Sequence, residues 1–143
     1  MTARSAFAIA LVTVAGLLPG CGGGNDEPQS DRARIRDVVE QFDAAFSGGD
    51  YGKVCELLHS RRRQQLEFGR GQKCADILES AAETESRLID ALADAKITYV
   101  TITKGNEDFA TVGVEGPSIG ARQAELLRDG ERGWRVSESP AGL

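Results

Sequence analysis

The sequence predicts an α+β domain in which N-terminal helices pack on an antiparallel sheet formed by the C-terminal part of the chain. Three observations lead to this prediction. Apolar residues recur at helical spacing from residue 35 onward, β-branched residues become frequent after Lys96, and short glycine-containing turns join the strand-like segments. Because the helices precede the strands, we expect them to share one face of the sheet.

The first predicted helix has one apolar side. Ser30 or Asp31 can serve as its N-cap, and Asp31 also suits the positive end of the helix dipole. Charged side chains, among them Asp43, occupy the opposite side, and the glycines after Ser47 end the helix. The apolar side, which we expect to lie against the sheet, consists of Ile35, Val38, Val39, Phe42, Ala45 and Phe46.

Three shorter helices are predicted next. Asp50 can cap the second helix, which buries Val54 and Leu58, and Ser60 can cap a third helix over residues 61–68. A fourth helical pattern starts at Gln72 and continues to residue 92, and we expect a break within its polar stretch at residues 83–86.

Four strands complete the prediction. Residues 97–103, 109–115, 121–128 and Trp134–Glu138 are strand-like segments, and each connection between them is short. Short connections favour an antiparallel meander, in which consecutive strands are neighbours. The last residues, 139–143, are predicted to be a tail.

The N-terminus has the features of an export signal. Residues 6–18 are thirteen uncharged, mostly apolar residues, which is fewer than the about 20 that a membrane-spanning helix needs. The run ends in Leu18-Pro19-Gly20-Cys21, which resembles the cleavage motif of bacterial lipoproteins, although Pro19 departs from the usual small residue. The resemblance implies that residues 1–20 are removed and that Cys21 is lipidated. The alternative is an ordinary secretory signal that ends in a chance cysteine.

Composition limits what the mature chain does. Residues 21–30 are rich in glycine and polar side chains and are predicted to be a flexible tether, which leaves residues 31–138 for one domain. The 123 residues after the signal contain 16 basic and 22 acidic side chains, a net charge of −6. This charge argues against nucleic acid as a partner, because duplex binding needs a basic face.

The cysteine count favours a disulfide. If Cys21 carries lipid, Cys55 and Cys74 remain as a pair in an oxidising compartment, and we expect them to form a bond. Two buried free thiols are the alternative. A metal site is not expected, because the spacing does not fit and His59, the one histidine, cannot complete a ligand set.

The order of these landmarks resembles the nuclear transport factor 2-like (SnoaL-like) superfamily, and in particular its small bacterial lipoproteins. The matching features are the long helix ending in Gly48-Gly49-Asp50, the helix at residues 54–58, the pair of cysteines and the closing Gly133-Trp134-Arg135-Val136. The resemblance implies a cone-like fold in which a curved sheet wraps the first helix and leaves a pocket. Enzymes of that superfamily use Asp, His or Tyr groups in the pocket for proton transfer.

The candidates for such chemistry are few. His59 precedes three arginines and is expected to be exposed, Asp43 to be a surface carboxylate, and Tyr51 and Tyr99 to be aromatic residues of the core. Arg61-Arg62-Arg63 point in different directions on a helix and are expected to be solvated. Binding of an anionic lipid head group or a cell-wall polymer by these arginines is the alternative.

Taken together, these features predict a lipoprotein held on the extracytoplasmic side of a bacterial cell membrane, with a domain that binds a small apolar ligand or a neighbouring protein and needs no cofactor. The alternative is a small isomerase or dehydratase that uses a pocket carboxylate, a tyrosine or His59. A homodimer formed through the outer face of the sheet is a further alternative.

Overall fold

The structure is a computed structural model that describes residues 26–84, 90, 92–140 and 142. Within these residues the chain is α+β, as predicted, with four helices followed by a four-stranded antiparallel sheet. The helices are α1 (Asp26–Ser47), α2 (Tyr51–Leu57), α3 (Ser60–Glu67) and α4 (Cys74–Thr84). The strands are β1 (Lys96–Thr103), β2 (Phe109–Gly116), β3 (Gly120–Arg128) and β4 (Trp134–Glu138).

The sheet is the predicted meander, with the strands in the order β1-β2-β3-β4. Its inner face carries Val112 and Val114 of β2, Leu126 of β3 and Val136 of β4, all at most 1 % exposed. The apolar side of α1 covers this face, and its Ile35, Val39, Phe42 and Phe46 are at most 3 % exposed. Burying each of these side chains contributes about 1.5–3 kcal/mol, so the packing of α1 on the sheet is a main source of stability.

Tyr99 and Gly113 are neighbours on the outer face of the sheet, where β1 has a bulge between Ile97 and Tyr99. The ring of Tyr99 lies across Gly113, and a Cβ atom at residue 113 would overlap it. Glycine is therefore required at this position for close packing of the ring.

The start of α1 differs from the prediction. The helix begins at Asp26, within the range assigned to the tether, so neither Ser30 nor Asp31 is its N-cap. Asp31 lies in the second turn and is only 2 % exposed. Pro28 fits within the first turn, because the N–H that it lacks has no partner within the helix there.

Of the N-caps predicted for α2 and α3, one is confirmed and the other is wrong. Asp50 caps α2 as predicted, and its carboxylate accepts a hydrogen bond from the Lys53 backbone N–H at 3.0 Å. In α3 the cap is His59 and not Ser60, because the His59 backbone N–H donates to the Val136 carbonyl at 2.7 Å and holds residue 59 extended.

Two further predictions concern the end of the helical region and the residues after the last strand. The expected break at residues 83–86 lies largely outside the described residues, and α4 continues to Thr84. Ser139 is 2 % exposed and accepts a hydrogen bond from the Gly142 backbone N–H, so the predicted tail begins with residues that belong to the fold. None of the helices in the described part of the chain has the length and apolarity needed to span a bilayer.

The predicted disulfide between Cys55 and Cys74 is confirmed, with Cα atoms 6.1 Å apart. It joins α2 to the first residue of α4 across a separation of 19 residues. Both cysteines are buried beside the apolar residues that α2 contributes to the core.

We expect that removing this disulfide lowers the free energy of unfolding by about 3 kcal/mol, because the unfolded chain regains the freedom of a 19-residue loop. Urea unfolding of the wild type with and without reductant measures the effect. The Cys55→Ser/Cys74→Ser variant is the control, since reductant must leave its unfolding midpoint unchanged. Equal midpoints for the oxidised wild type and this variant would contradict the prediction.

Candidate functional site

A buried carboxylate joins α1 to one end of the sheet. Asp31 accepts hydrogen bonds from Arg128 Nη2 at 2.7 and 2.9 Å, from Trp134 Nε1 at 3.2 Å and from Lys104 Nζ at 3.3 Å. Lys104 and Arg128 also contact Asp108, at 3.2 and 3.5 Å. The guanidinium of Arg128 stacks on Trp134, 5.0 Å from the ring centroid. We call Asp31, Lys104, Asp108, Arg128 and Trp134 the Asp31 cluster.

The cluster keeps Asp31 ionised. Burial by itself raises the pKa of this carboxyl, but the hydrogen bonds from Trp134, Lys104 and Arg128, together with the charge of Arg128, outweigh burial and lower the pKa. Because the folded-state pKa is depressed, the ionised carboxylate stabilises the fold above pH 4, and this contribution is lost as the pH falls through the folded-state pKa.

A cleft of about 420 Å³ lies beside the Asp31 cluster. The turn between β1 and β2 forms one wall, and the junction between α2 and α3 forms the other. We call it the His59 cleft. It is lined by His59, Arg61, Gly105, Asn106, Glu107, Asp108, Leu127 and Arg128. Its two arginines and two carboxylates balance in charge, and Arg61 lies 3.9 Å from Glu107 across the opening.

The prediction that His59 is exposed is wrong, because its side chain is only 13 % exposed. The pairing of residues 58 and 59 with β4 draws the imidazole into the fold. Its Nδ1 accepts a hydrogen bond from the Arg61 backbone N–H at 3.2 Å, and its Nε2 lies 4.0 Å from Asp129 Oδ1. The lone pair on Nδ1 is thus already used, so His59 is not placed to act as a general base through that nitrogen.

Asp129 supports the same wall of the cleft. Its carboxylate accepts hydrogen bonds from the backbone N–H and the hydroxyl of Ser60, both at 3.0 Å, and from Arg132 at 2.7 Å. Burial acts to raise the pKa of Asp129, but the bonds from Ser60 and the nearby His59 and Arg132 lower it. The ionised carboxylate therefore holds the start of α3 against the end of β3.

A second groove, of about 430 Å³, runs between α1 and the segment that enters β1. Asp43 lies in it, together with Arg36, Glu40, Leu92 and Ile97. The prediction of a surface carboxylate is wrong here, because burial raises the pKa of Asp43 to about 7. Its Oδ1 is buried and has no hydrogen-bond partner among the residues that the structure describes. Asp43 can therefore exchange a proton near neutral pH.

The other residues predicted as candidates, Tyr51 and Tyr99, line neither the His59 cleft nor the groove beside Asp43. Tyr51 packs edge-on against Phe46 in the core, with ring centroids 6.1 Å apart, as expected. Tyr99 is 41 % exposed on the outer face of the sheet, where its hydroxyl accepts a hydrogen bond from Gln123, so the prediction of a core aromatic is wrong for this residue. Cys21 lies outside the described residues. Within those residues, no group of His, Cys, Asp and Glu side chains is arranged to hold a metal ion.

The sequence analysis does not identify Asp31 as a buried ion-pair partner, although the position of Asp31 on α1 indicates burial. Asp31 lies four residues before Ile35, so the apolar side of α1, extended back by one turn, includes it. An acidic residue at such a position needs a buried cation or donor, and Arg128 and Trp134 supply them from strands far along the chain.

We expect Asp31→Asn to lower the free energy of unfolding by about 2–4 kcal/mol at pH 7, because it leaves Arg128 beside a neutral group at a buried position. Urea unfolding measures the loss. It should be smaller at pH 3, because residue 31 of the unfolded wild type then binds a proton that folding must release, which offsets part of the contribution of the ionised carboxylate. Asp37→Asn, which changes an exposed carboxylate on the same helix, is the matched control. A loss that stays the same at pH 3 and pH 7 would contradict an ionised Asp31.

Comparison with known protein families, with functionally described proteins and with solved structures finds no match for this chain. What the protein does must therefore be inferred from its own residues.

Proposed function

We propose that the protein is a lipoprotein, anchored through Cys21 to the extracytoplasmic side of a bacterial cell membrane, whose folded part binds a ligand or a neighbouring protein without catalysis. The Cys55–Cys74 disulfide is the observation that carries this proposal. Disulfides persist in oxidising compartments, and this one leaves Cys21 as the chain's remaining cysteine, directly after an apolar export signal.

The chemistry of the His59 cleft favours binding over catalysis. Arg128 is held by Asp31 and Asp108, Asp129 by Ser60 and Arg132, and the Nδ1 lone pair of His59 by the Arg61 backbone N–H. Groups that are held in this way present fixed charges and donors to a ligand but are poorly placed to exchange protons. The charged lining favours a polar ligand or a polar protein segment over the apolar molecule expected from the sequence.

The architecture supports a relationship to the nuclear transport factor 2-like superfamily. The expected order of helices followed by a meander is present, and α1 lies on the inner face of the sheet. In this chain the apolar residues between α1 and the sheet fill that face, and the two cavities described above lie at its margins.

One observation favours a second candidate function, an enzyme of the isomerase or dehydratase type. The Asp43 carboxyl, with its pKa raised to about 7, lies in an open groove and has the acidity that a general acid or base needs at neutral pH. The described residues place no second proton-transfer group in hydrogen-bond contact with it, so we rank this candidate below the binding function.

We expect cells that express the full chain to incorporate labelled fatty acid into it, and the label to disappear in Cys21→Ala, because the sulfur of Cys21 is the proposed site of acylation. Electrophoresis of the immunoprecipitated protein measures the label. Cys55→Ser/Cys74→Ser is the control and must keep the label. Label that persists in Cys21→Ala would overturn the anchor. Native mass spectrometry of the protein released from its membrane then reports any ligand that it retains.

We expect Asp43→Asn to stabilise the fold above pH 7 by roughly 1–3 kcal/mol, because it removes a carboxylate whose charged form is disfavoured by burial. Because the folded-state pKa of Asp43 is raised, the free energy of unfolding of the wild type should fall as the pH rises from about 4 to about 7. The variant should not show this fall. Urea unfolding across this pH range measures the difference. Asp37→Asn again serves as the control, and equal pH profiles for the wild type and Asp43→Asn would contradict the raised pKa.

A further inference from the structure

Phe68 is the most exposed large apolar residue in the described part of the chain, with 87 % of its surface accessible. It follows α3, and Gly69 and Gly71, both in the left-handed backbone region, turn the chain away directly after it. A phenylalanine held out on a tight turn exposes apolar surface that water solvates poorly, so a partner that buries the ring gains its transfer free energy.

The segment around Phe68 is basic, although the protein is acidic. Residues 60–73 contain five basic side chains and one acidic side chain, a net charge of +4. The rest of the mature chain contains 11 basic and 21 acidic side chains, a net charge of −10. Arg61, which lies two helical turns before Phe68 and 3.9 Å from Glu107, and Arg70, which lies two residues after Phe68, are both exposed. An exposed aromatic ring between cations is suited to an anionic, amphipathic surface.

The start of α3 lies close to the start of α1, the helix that follows Cys21 in the sequence. Two adjacent residues hold this arrangement, since Arg128 binds Asp31 near the start of α1 and Asp129 binds Ser60 at the start of α3. From there α3 extends about 12 Å to Phe68. Cys21 precedes Asp26 by five residues, which span at most about 18 Å. A lipid on Cys21 would therefore hold the start of α3 near the bilayer, with Phe68 one helix length from that point.

We propose that the loop carrying Phe68 is a second membrane contact, in which the phenylalanine ring enters the interface of an anionic bilayer and Arg61 and Arg70 bind its phosphate groups. This inference rests on the proposed anchor at Cys21. The two contacts together fix the orientation of the domain on the membrane. The His59 cleft lies at the start of α3, so its distance from the bilayer is fixed as well.

A membrane fits these features better than a protein partner. The exposed side chains of α3 are Arg61, Gln64 and Gln65, so this helix adds no exposed apolar side chain to the ring from which the core of a protein interface could form. A single aromatic side chain with flanking cations is sufficient at a bilayer, because the anchor already supplies most of the attachment.

The test uses the mature lipidated protein in phosphatidylcholine vesicles, with or without phosphatidylglycerol, whose acyl chains carry bromine as a contact quencher. Wild type contains one tryptophan, Trp134, which is 3 % exposed and reports the background. In Phe68→Trp the new tryptophan adds fluorescence emission to that of Trp134. We expect the brominated lipids to quench most of this added emission, and only when phosphatidylglycerol is present. Arg61→Gln/Arg70→Gln in the same background should abolish most of the quenching.

Two matched variants serve as controls. Tyr99→Trp places an exposed tryptophan on the outer face of the sheet and should not be quenched. Lys96→Gln/Arg122→Gln removes two charges at the end of the sheet away from the β1–β2 turn and should leave the quenching of Trp at residue 68 unchanged. Equal quenching of Phe68→Trp and Tyr99→Trp, or quenching without phosphatidylglycerol, would overturn the proposal.

Failure of the anchor is distinguishable from failure of the contact. If the intact mass of the mature protein lacks lipid, the anchor is wrong, and binding of that protein to phosphatidylglycerol vesicles is measured by flotation instead. The Phe68 contact then predicts roughly thirtyfold weaker binding for Arg61→Gln/Arg70→Gln, and weaker binding for Phe68→Ala. Flotation equal to that of the wild type would overturn the contact.

Discussion

The ion pair between Asp31 and Arg128 is the contact on which the arrangement of the domain depends. Apolar contacts alone tolerate small shifts of α1 over the sheet, because dispersion attraction is not directional. A carboxylate that must meet a guanidinium, an indole N–H and an ammonium group at fixed angles does not permit such movement. The apolar side of α1 thus supplies the stabilising energy, and Asp31 sets the position in which that energy is gained.

The same pair determines the shape of the His59 cleft. Arg128 holds Asp108 as well as Asp31, which fixes the β1–β2 turn as one wall. The next residue, Asp129, holds Ser60 and thereby fixes α3 as the other wall. Two neighbouring residues at the end of β3 therefore position elements from three separate parts of the chain. The disulfide completes this arrangement by joining α2, directly before the cleft, to α4.

The sequence predicted the elements well and the polar contacts poorly. The strand boundaries agree within one residue, the order of the meander is correct, and the Asp50 cap and the disulfide are present. These features follow from the local sequence pattern or, for the disulfide, from the number of cysteines. The roles of His59, Asp31 and Asp43 were misjudged, because each depends on residues distant in sequence. Three arginines after His59 indicated exposure, whereas a backbone bond to β4 determines where the imidazole lies.

Asp31 and Asp43 show how far the surroundings decide the chemistry of a residue. Both lie on α1, twelve positions apart, and burial acts to raise the pKa of each. Asp31 has three donors that face it, so its pKa is lowered and it serves as a permanent anion for the fold. The buried Oδ1 of Asp43 has no donor among the described residues, and burial raises the pKa of this carboxyl to about 7. One helix thus carries a structural anion at one end and, three turns later, a proton-exchanging group in an open groove. The two carboxylates differ because the described residues satisfy every acceptor position of Asp31, whereas they leave Oδ1 of Asp43 without a donor.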